Sequence, residues 1–169
     1  MSPERTVAVQ RAHRPFHFRI RSILFLLPAW FSPSSSIRAG FHRLRGARIA
    51  RSAEIGYLVM IDNLYPEKVV IEENATIAAQ TTILSHDESL AYTGRGPERI
   101  AETCVRRGAF VGVHCVILPG ITVGERALVA AGSVVAHDVA PGSAVAGVPA
   151  RPIRKDDRAA VVVAEREAR

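Results

Sequence analysis

From residue 49 onward, aliphatic side chains recur every six residues, a period that fits neither the two of a half-buried strand nor the 3.6 of a helix. They stand at Ile49, Ile55 and Ile61, at Ile71, Ile77 and Ile83, and at Val105, Val111, Ile117, Val123, Val129 and Val135. Every anchor is Ile or Val, the types that suit a buried, pleated wall. Four residues after most anchors comes a small or β-branched side chain: Ala53, Val59, Ala75, Thr81, Ala109, Cys115, Ile121, Ala127, Ser133 and Val139. Glycine or alanine often follows the anchor directly, as at Gly56, Ala78, Gly112, Gly124, Ala130 and Ala136.

Each hexad predicts one short strand and one sharp corner, so three hexads close a triangular coil of about 18 residues. Stacked coils bury the anchors in inward columns and hydrogen-bond to one another as parallel sheet. The anchors divide into about four coils. Two breaks interrupt them, one between Ile61 and Ile71 and a longer one between Ile83 and Val105. Both read as loops leaving the prism, the longer as a protruding loop over 88–104. A sandwich of short strands would instead show alternation and irregular spacing. The ends complete an all-β parallel β-helix. Residues 12–31 predict a helix covering the open end of the first coil, Ser32–Ser36 a turn, and Asp156–Arg169 a short C-terminal helix. The organisation is therefore a basic N-terminal arm with a capping helix over 1–48, a repeat domain over 49–154, and a C-terminal helix over 155–169.

The composition, 169 residues with 48% hydrophobic and two cysteines, fits one packed domain and excludes a disordered chain or a disulfide scaffold. Charge is unevenly spread. The first 51 residues hold ten arginines against the single acid Glu4, whereas residues 52–169 are mildly acidic. Clustered arginine suits phosphate-rich partners, but no nucleic-acid-binding module accompanies it. The apolar run Ser22–Phe31 is too short to span a bilayer. Its long lead, Pro28 and the lack of a cleavage site do not suit a signal peptide. A short helix lying on the protein or on a membrane surface fits better, in a cytoplasmic chain with membrane-surface contact through its basic N-terminus.

The segment Val105 to Arg154 resembles the CoA-binding end of the galactoside, maltose and related O-acetyltransferases, most specifically at Ala146-Gly147-Val148-Pro149 and the arginines after it. Upstream, Ile61-Asp62-Asn63-Leu64-Tyr65-Pro66-Glu67 and Thr81-Thr82-Ile83-Leu84-Ser85-His86-Asp87 look like a branch of the same family, the hexapeptide-repeat acyltransferases. The resemblance implies a left-handed β-helix, acetyl-CoA as cosubstrate with no metal, and a homotrimer that binds CoA between subunits. It also implies a histidine general base where a coil hands over to the loop, the place of His86. An imidazole titrating near neutrality can take the proton of a sugar hydroxyl as the oxygen attacks the thioester, while a backbone N–H holds the oxyanion. Asp87 is a candidate to orient the imidazole.

Carried over by position, Val113, Ala131 and Ala136 should flank the pantetheine arm, with His137, Arg151 and Arg154 at the nucleotide end. His137 replaces a lysine of some relatives, and Phe110 a frequent tryptophan. Asp62 and Asn63 are candidates for bonding acceptor hydroxyls, with Tyr65, Tyr92 and the 88–104 loop as an acceptor platform. The six histidines and two cysteines lack zinc-site spacing. The expected activity is O-acetylation of a sugar or glycan-like acceptor. Acylation of an amine on an amino sugar or antibiotic, and a non-catalytic scaffold, remain as alternatives.

Overall fold

A computed structural model describes residues 16–153. Residues 1–15, the helix expected over Asp156–Arg169, and Arg154 lie outside the described residues. All twelve anchors are buried, none more than 7% exposed, and so are all ten small or β-branched residues four positions on. The hexad therefore supplies two inward positions per strand and corner, which explains why the corner position tolerates only modest side chains.

Three parallel sheets form the walls of the prism. The first stacks Arg48–Ile49, Val69–Ile71, Thr103–Val105 and Thr122–Val123. In the second, Glu54–Ile55, Thr76–Ile77, Phe110–Val111, Leu128–Val129 and Ala144–Gly147 are parallel, closed by antiparallel Ala150–Pro152. The third holds Met60–Ile61, Thr82–Ile83, Val116–Ile117 and Val134–Val135. Anchors pair with anchors throughout, as Ile49 with Ile71 and Ile117 with Val135. Both expected loops are present. The shorter carries a 3-10 turn at Pro66–Lys68; the longer holds an antiparallel pair of His86–Asp87 with Arg99–Ile100 and a short helix at Ser89–Tyr92.

The N-terminus differs from the expectation. A first helix, α1, spans Phe16–Phe31, but a second, α2, occupies Ser35–Arg45, where the sequence predicts a turn over Ser32–Ser36 and no further element in the arm. The buried face of α2 is Arg38, Ala39, His42 and Arg45. These stand at helical spacing yet are mostly polar, so hydrophobic periodicity does not register them. Gly46, at φ 119°, ends the helix in the left-handed conformation that only glycine adopts cheaply.

Polar residues face inward there because of what the first coil leaves unpaired. Its strands donate N–H groups to the second coil, as Ala50 to the Ile71 carbonyl and Gly56 to that of Ile77, both at 2.8 Å. Its own carbonyls at Ile49, Ile55 and Ile61 point off the end of the prism, an open edge that must be satisfied. Arginines of α2 satisfy one in each sheet. Arg43 Nε donates to the Ile49 oxygen at 2.9 Å, Arg38 Nε to Ile55 at 2.9 Å, and Arg45 Nη2 to Ile61 at 3.1 Å. From α1, Trp30 Nε1 adds a bond to Val59 at 3.0 Å. Hydrogen bonds to charged donors contribute roughly 1.5–3 kcal/mol each, so α2 does the work of a further coil. Much of the arginine excess is therefore structural.

Arg45 is wholly buried, and so is His42, whose Nδ1 lies 3.0 Å from Arg45 Nη1. The guanidinium can only donate, so Nδ1 accepts and the imidazole is neutral. Burial, reinforced by the Arg45 charge and opposed by the Val59 carbonyl, lowers the His42 pKa to about 3.

Two outcomes are expected. A Cβ on Gly112 would come within 2.6 Å of the Ala131 nitrogen in the next coil, whereas one on Gly40 in α2 meets nothing within 4 Å. Chemical denaturation should show Gly112→Ala losing about 1–3 kcal/mol and Gly40→Ala gaining about 0.5–1 kcal/mol. The unfolded chain protonates His42 below about pH 6.5 while the folded chain does not, so its contribution is complete above that pH and falls away toward pH 3. Between pH 7 and pH 5 the loss should reach about 2 kcal/mol. His42→Asn, which keeps an acceptor for Arg45 but cannot titrate, should flatten the unfolding free energy over that interval.

Candidate active site

Both breaks in the hexad follow a strand of the third sheet, Met60–Ile61 in one coil and Thr82–Ile83 in the next. The two loops therefore leave from the same corner, one above the other, and this stacking builds the site. His86 lies on the first strand of the longer loop, paired with Ile100, while Ala101 N–H bonds the Ser85 carbonyl at 2.9 Å. The neck of the loop thus fixes the histidine backbone.

Asp62, first residue of the shorter loop, meets it. Asp62 Oδ2 is 2.6 Å from His86 Nδ1 and also accepts the backbone N–H groups of Ser85 at 2.7 Å and His86 at 3.1 Å. Oδ1 accepts those of Leu64 and Tyr65, each at 2.9 Å. Burial pushes the carboxyl pKa up, but the N–H groups of Tyr65 and Ser85, together with His86, outweigh it and hold the group below its ordinary value. An ionised Asp62 can only accept, so Nδ1 carries a proton, and in the neutral imidazole the lone pair is on Nε2. The Tyr65 ring stands edge-on to the imidazole at 5.6 Å between centroids. The His86 side chain is 15% exposed, against 0% for Asp62.

Arg45 supports this pair from behind. Its Nη2 lies 3.3 Å from the Asp62 carbonyl oxygen and its Nε 3.2 Å from Ser22 Oγ of α1. The charge of Asp62 partly offsets the burial that lowers the Arg45 pKa to about 10, so the guanidinium stays charged at neutral pH. The capping residue of the third sheet is thereby also the neighbour of the aspartate that holds His86.

Several sequence expectations change. Asp62 cannot bond an acceptor through its side chain, because that side chain is sealed and both oxygens are engaged; it is His86's partner. Asp87 does not take that role, since its Oδ1 accepts the Ser89 N–H at 2.8 Å at the start of the short loop helix. Tyr65 is 7% exposed and forms a wall behind the imidazole rather than an acceptor platform. Asn63 and Tyr92 are exposed. Two signals could have located Asp62: both breaks follow a third anchor, and they do so in successive coils. Arg45 and His42 carried no comparable signal.

Among the described residues, those expected along CoA stand at two places on the prism. Val113 and Ala131 lie at the corner between the second and third sheets, where Gly132 N–H bonds the Val113 carbonyl at 2.8 Å. Ala136 and His137 follow the third sheet on its other edge. His137 and Arg151 line one groove of about 400 Å³, together with Val135, Asp138, Val145 and Pro152. Phe110 is 39% exposed on the second sheet.

No protein-family model matches the chain. The Bacillus subtilis protein YvoF, whose name assigns it to the acetyltransferases, is 29% identical over 81% of this chain and 77% of its own length. Galactoside O-acetyltransferase of Escherichia coli K12 is 29% identical over 76% of this chain, which spans 58% of that enzyme. Among solved structures, galactoside acetyltransferase in complex with coenzyme A superposes with a TM-score of 0.60 at 25% identity, covering 85% of this chain and 84% of that one. A maltose O-acetyltransferase from Clostridium difficile 630 gives 0.61 at 19% identity, covering 82% and 84%, which bears on the fold alone. The prism is the left-handed parallel β-helix, and the chain is similar to hexapeptide-repeat acetyltransferases, the galactoside and maltose O-acetyltransferases among them.

Proposed function

We propose that this chain moves an acetyl group from acetyl-CoA to a hydroxyl of a sugar or glycan-like acceptor, with His86 as general base. The observation that carries this is the 2.6 Å contact of Asp62 Oδ2 with His86 Nδ1, which leaves Nε2 able to take a proton. His86 removes the hydroxyl proton as the acceptor oxygen bonds to the thioester carbonyl carbon. When the C–S bond breaks, the proton passes from His86 to the departing thiolate. Asp62 stabilises the imidazolium formed in between and fixes the ring. No covalent enzyme intermediate is needed, because the acetyl group arrives activated. Exposed Asn63 and Tyr92, beside the same loops, are the side chains suited to the acceptor.

Support for acetyl-CoA comes from the complex of galactoside acetyltransferase with coenzyme A and from the residues at the far end of the prism. His137 and exposed Arg151 line one groove together with Asp138, and the Arg151 guanidinium is the group there that suits a nucleotide phosphate. Arg154 is assigned to the same phosphates. Val113 and Ala131 stand on one edge of the third sheet, Ala136 and His137 on the other. A homotrimer in which neighbouring subunits contribute opposite edges to one CoA groove would use all of them. We assign the protein to the cytoplasm, where acetyl-CoA is made.

Calorimetry with CoA and acetyl-CoA tests the cosubstrate. Micromolar binding with one site per subunit, weakened in Arg151→Ala/Arg154→Ala, is expected; no binding at millimolar CoA would instead indicate a non-catalytic scaffold. Thiol release with panels of hydroxyl and amine acceptors tests the chemistry. His86→Ala should lower turnover about 100- to 10,000-fold while leaving CoA affinity unchanged. Turnover confined to amines would overturn the hydroxyl assignment.

A further inference from the structure

Helix α1 packs on the prism and on α2 through one face only. Ser22 and Ala29 are buried there, Phe25, Leu26 and Trp30 are half-buried, and the Phe25 ring meets that of Phe41 at 6.1 Å between centroids. The opposite face is apolar too. Ile20, Ile23, Leu24, Leu27 and Phe31 are 49%, 66%, 66%, 62% and 63% exposed. Their spacing makes one stripe along the helix, and no charged residue occurs anywhere from 22 to 37. An apolar stripe of this extent on a surface calls for a cover.

The cover is not a bilayer core that the helix crosses. The 16 residues of α1 extend about 24 Å at 1.5 Å each, short of the roughly 30 Å of hydrocarbon. Among the described residues no helix is long and apolar enough to cross a membrane. Charge identifies the cover instead. The arginines after α1 are largely committed within the fold: Arg38, Arg43 and Arg45 cap the prism, and Arg48 pairs with Glu102. The remaining excess lies at the other end of α1, where Arg5, Arg11, Arg14, Arg19 and Arg21 face a single acid, Glu4. Residues 52–169 carry fifteen acidic side chains against twelve basic ones. An exposed apolar stripe with an arginine-rich lead suits the interface of an anionic membrane, which takes the apolar side chains and attracts the charge. The acidic body is repelled by the same surface, so attraction is concentrated at the end that carries α1.

We propose that α1 is a membrane-surface anchor. Ile20, Ile23, Leu24, Leu27 and Phe31 enter the headgroup region of an anionic bilayer, and the arginine-rich sequence leading into α1 adds charge attraction to it. The anchor is independent of the transferase reading, and each can fail without the other.

Sedimentation of the full chain with sucrose-loaded vesicles tests it, using phosphatidylglycerol–phosphatidylcholine mixtures and phosphatidylcholine alone. The chain should pellet with the anionic vesicles, at least tenfold less with the neutral ones, and less as salt is raised. Leu24→Glu/Leu27→Glu should reduce partitioning to the anionic vesicles at least tenfold. Because both side chains are exposed, the double variant should keep the wild-type mass by light scattering and the wild-type unfolding midpoint. The emission of Phe31→Trp should shift to the blue on adding anionic vesicles. Absence of pelleting with anionic vesicles would overturn the proposal, as would undiminished binding by the double variant. A double variant that falls to a smaller oligomer would also overturn it, showing the stripe to be a subunit interface. Unchanged CoA calorimetry alongside any of these results keeps the anchor and the transferase apart.

Discussion

A stack of parallel coils has one unavoidable problem: its first coil ends in a row of carbonyls with no strand to receive them. The inward face of α2 follows from that edge. The three walls each present one such carbonyl, at Ile49, Ile55 and Ile61, and α2 answers with Arg43, Arg38 and Arg45. Guanidinium suits the task because it is planar, rich in donors and always charged, and because its long stem can reach across from a helix. The cap also hides a sheet edge that would otherwise invite pairing with another chain.

The edge constraint reaches the candidate active site through a single side chain. Arg45 bonds the Ile61 carbonyl, approaches that of Asp62, and is itself braced by Ser22 and His42. Asp62 accepts four backbone N–H groups besides the imidazole of His86. Such a carboxylate has little freedom to rotate, so the ring it holds is positioned before any ligand arrives, which is what efficient proton transfer requires. The aspartate's ionisation depends on the same bonds, since without them burial would favour its neutral form.

The prism was legible in the sequence because its rule is one of packing. Every coil must bury an anchor and a small corner side chain, and the six-residue period records that directly. His86 was legible as a place, the mouth of the long break. Asp62 reads from the sequence as an acceptor ligand, whereas the fold seals its side chain against His86. Its environment depends on two loops leaving one corner, a contact between residues more than twenty positions apart. The α2 cap escaped because its inward face is built of Arg38, His42 and Arg45, and a helix that buries arginine carries no hydrophobic stripe. Sequence charge was misleading there for the same reason, since side chains that look available to a phosphate-rich partner are holding the fold closed.

The central claim is that Asp62 fixes His86 with its proton on Nδ1 and an open Nε2. Nitrogen-15 NMR of the imidazole tests it most directly, with His86→Gln to assign the signals. At neutral pH the wild-type protein should show a protonated Nδ1 and an unprotonated, acceptor-type Nε2, and Asp62→Asn should abolish that preference. A His86 ring protonated on Nε2 in the wild-type protein, or one whose tautomer is indifferent to Asp62→Asn, would contradict the account.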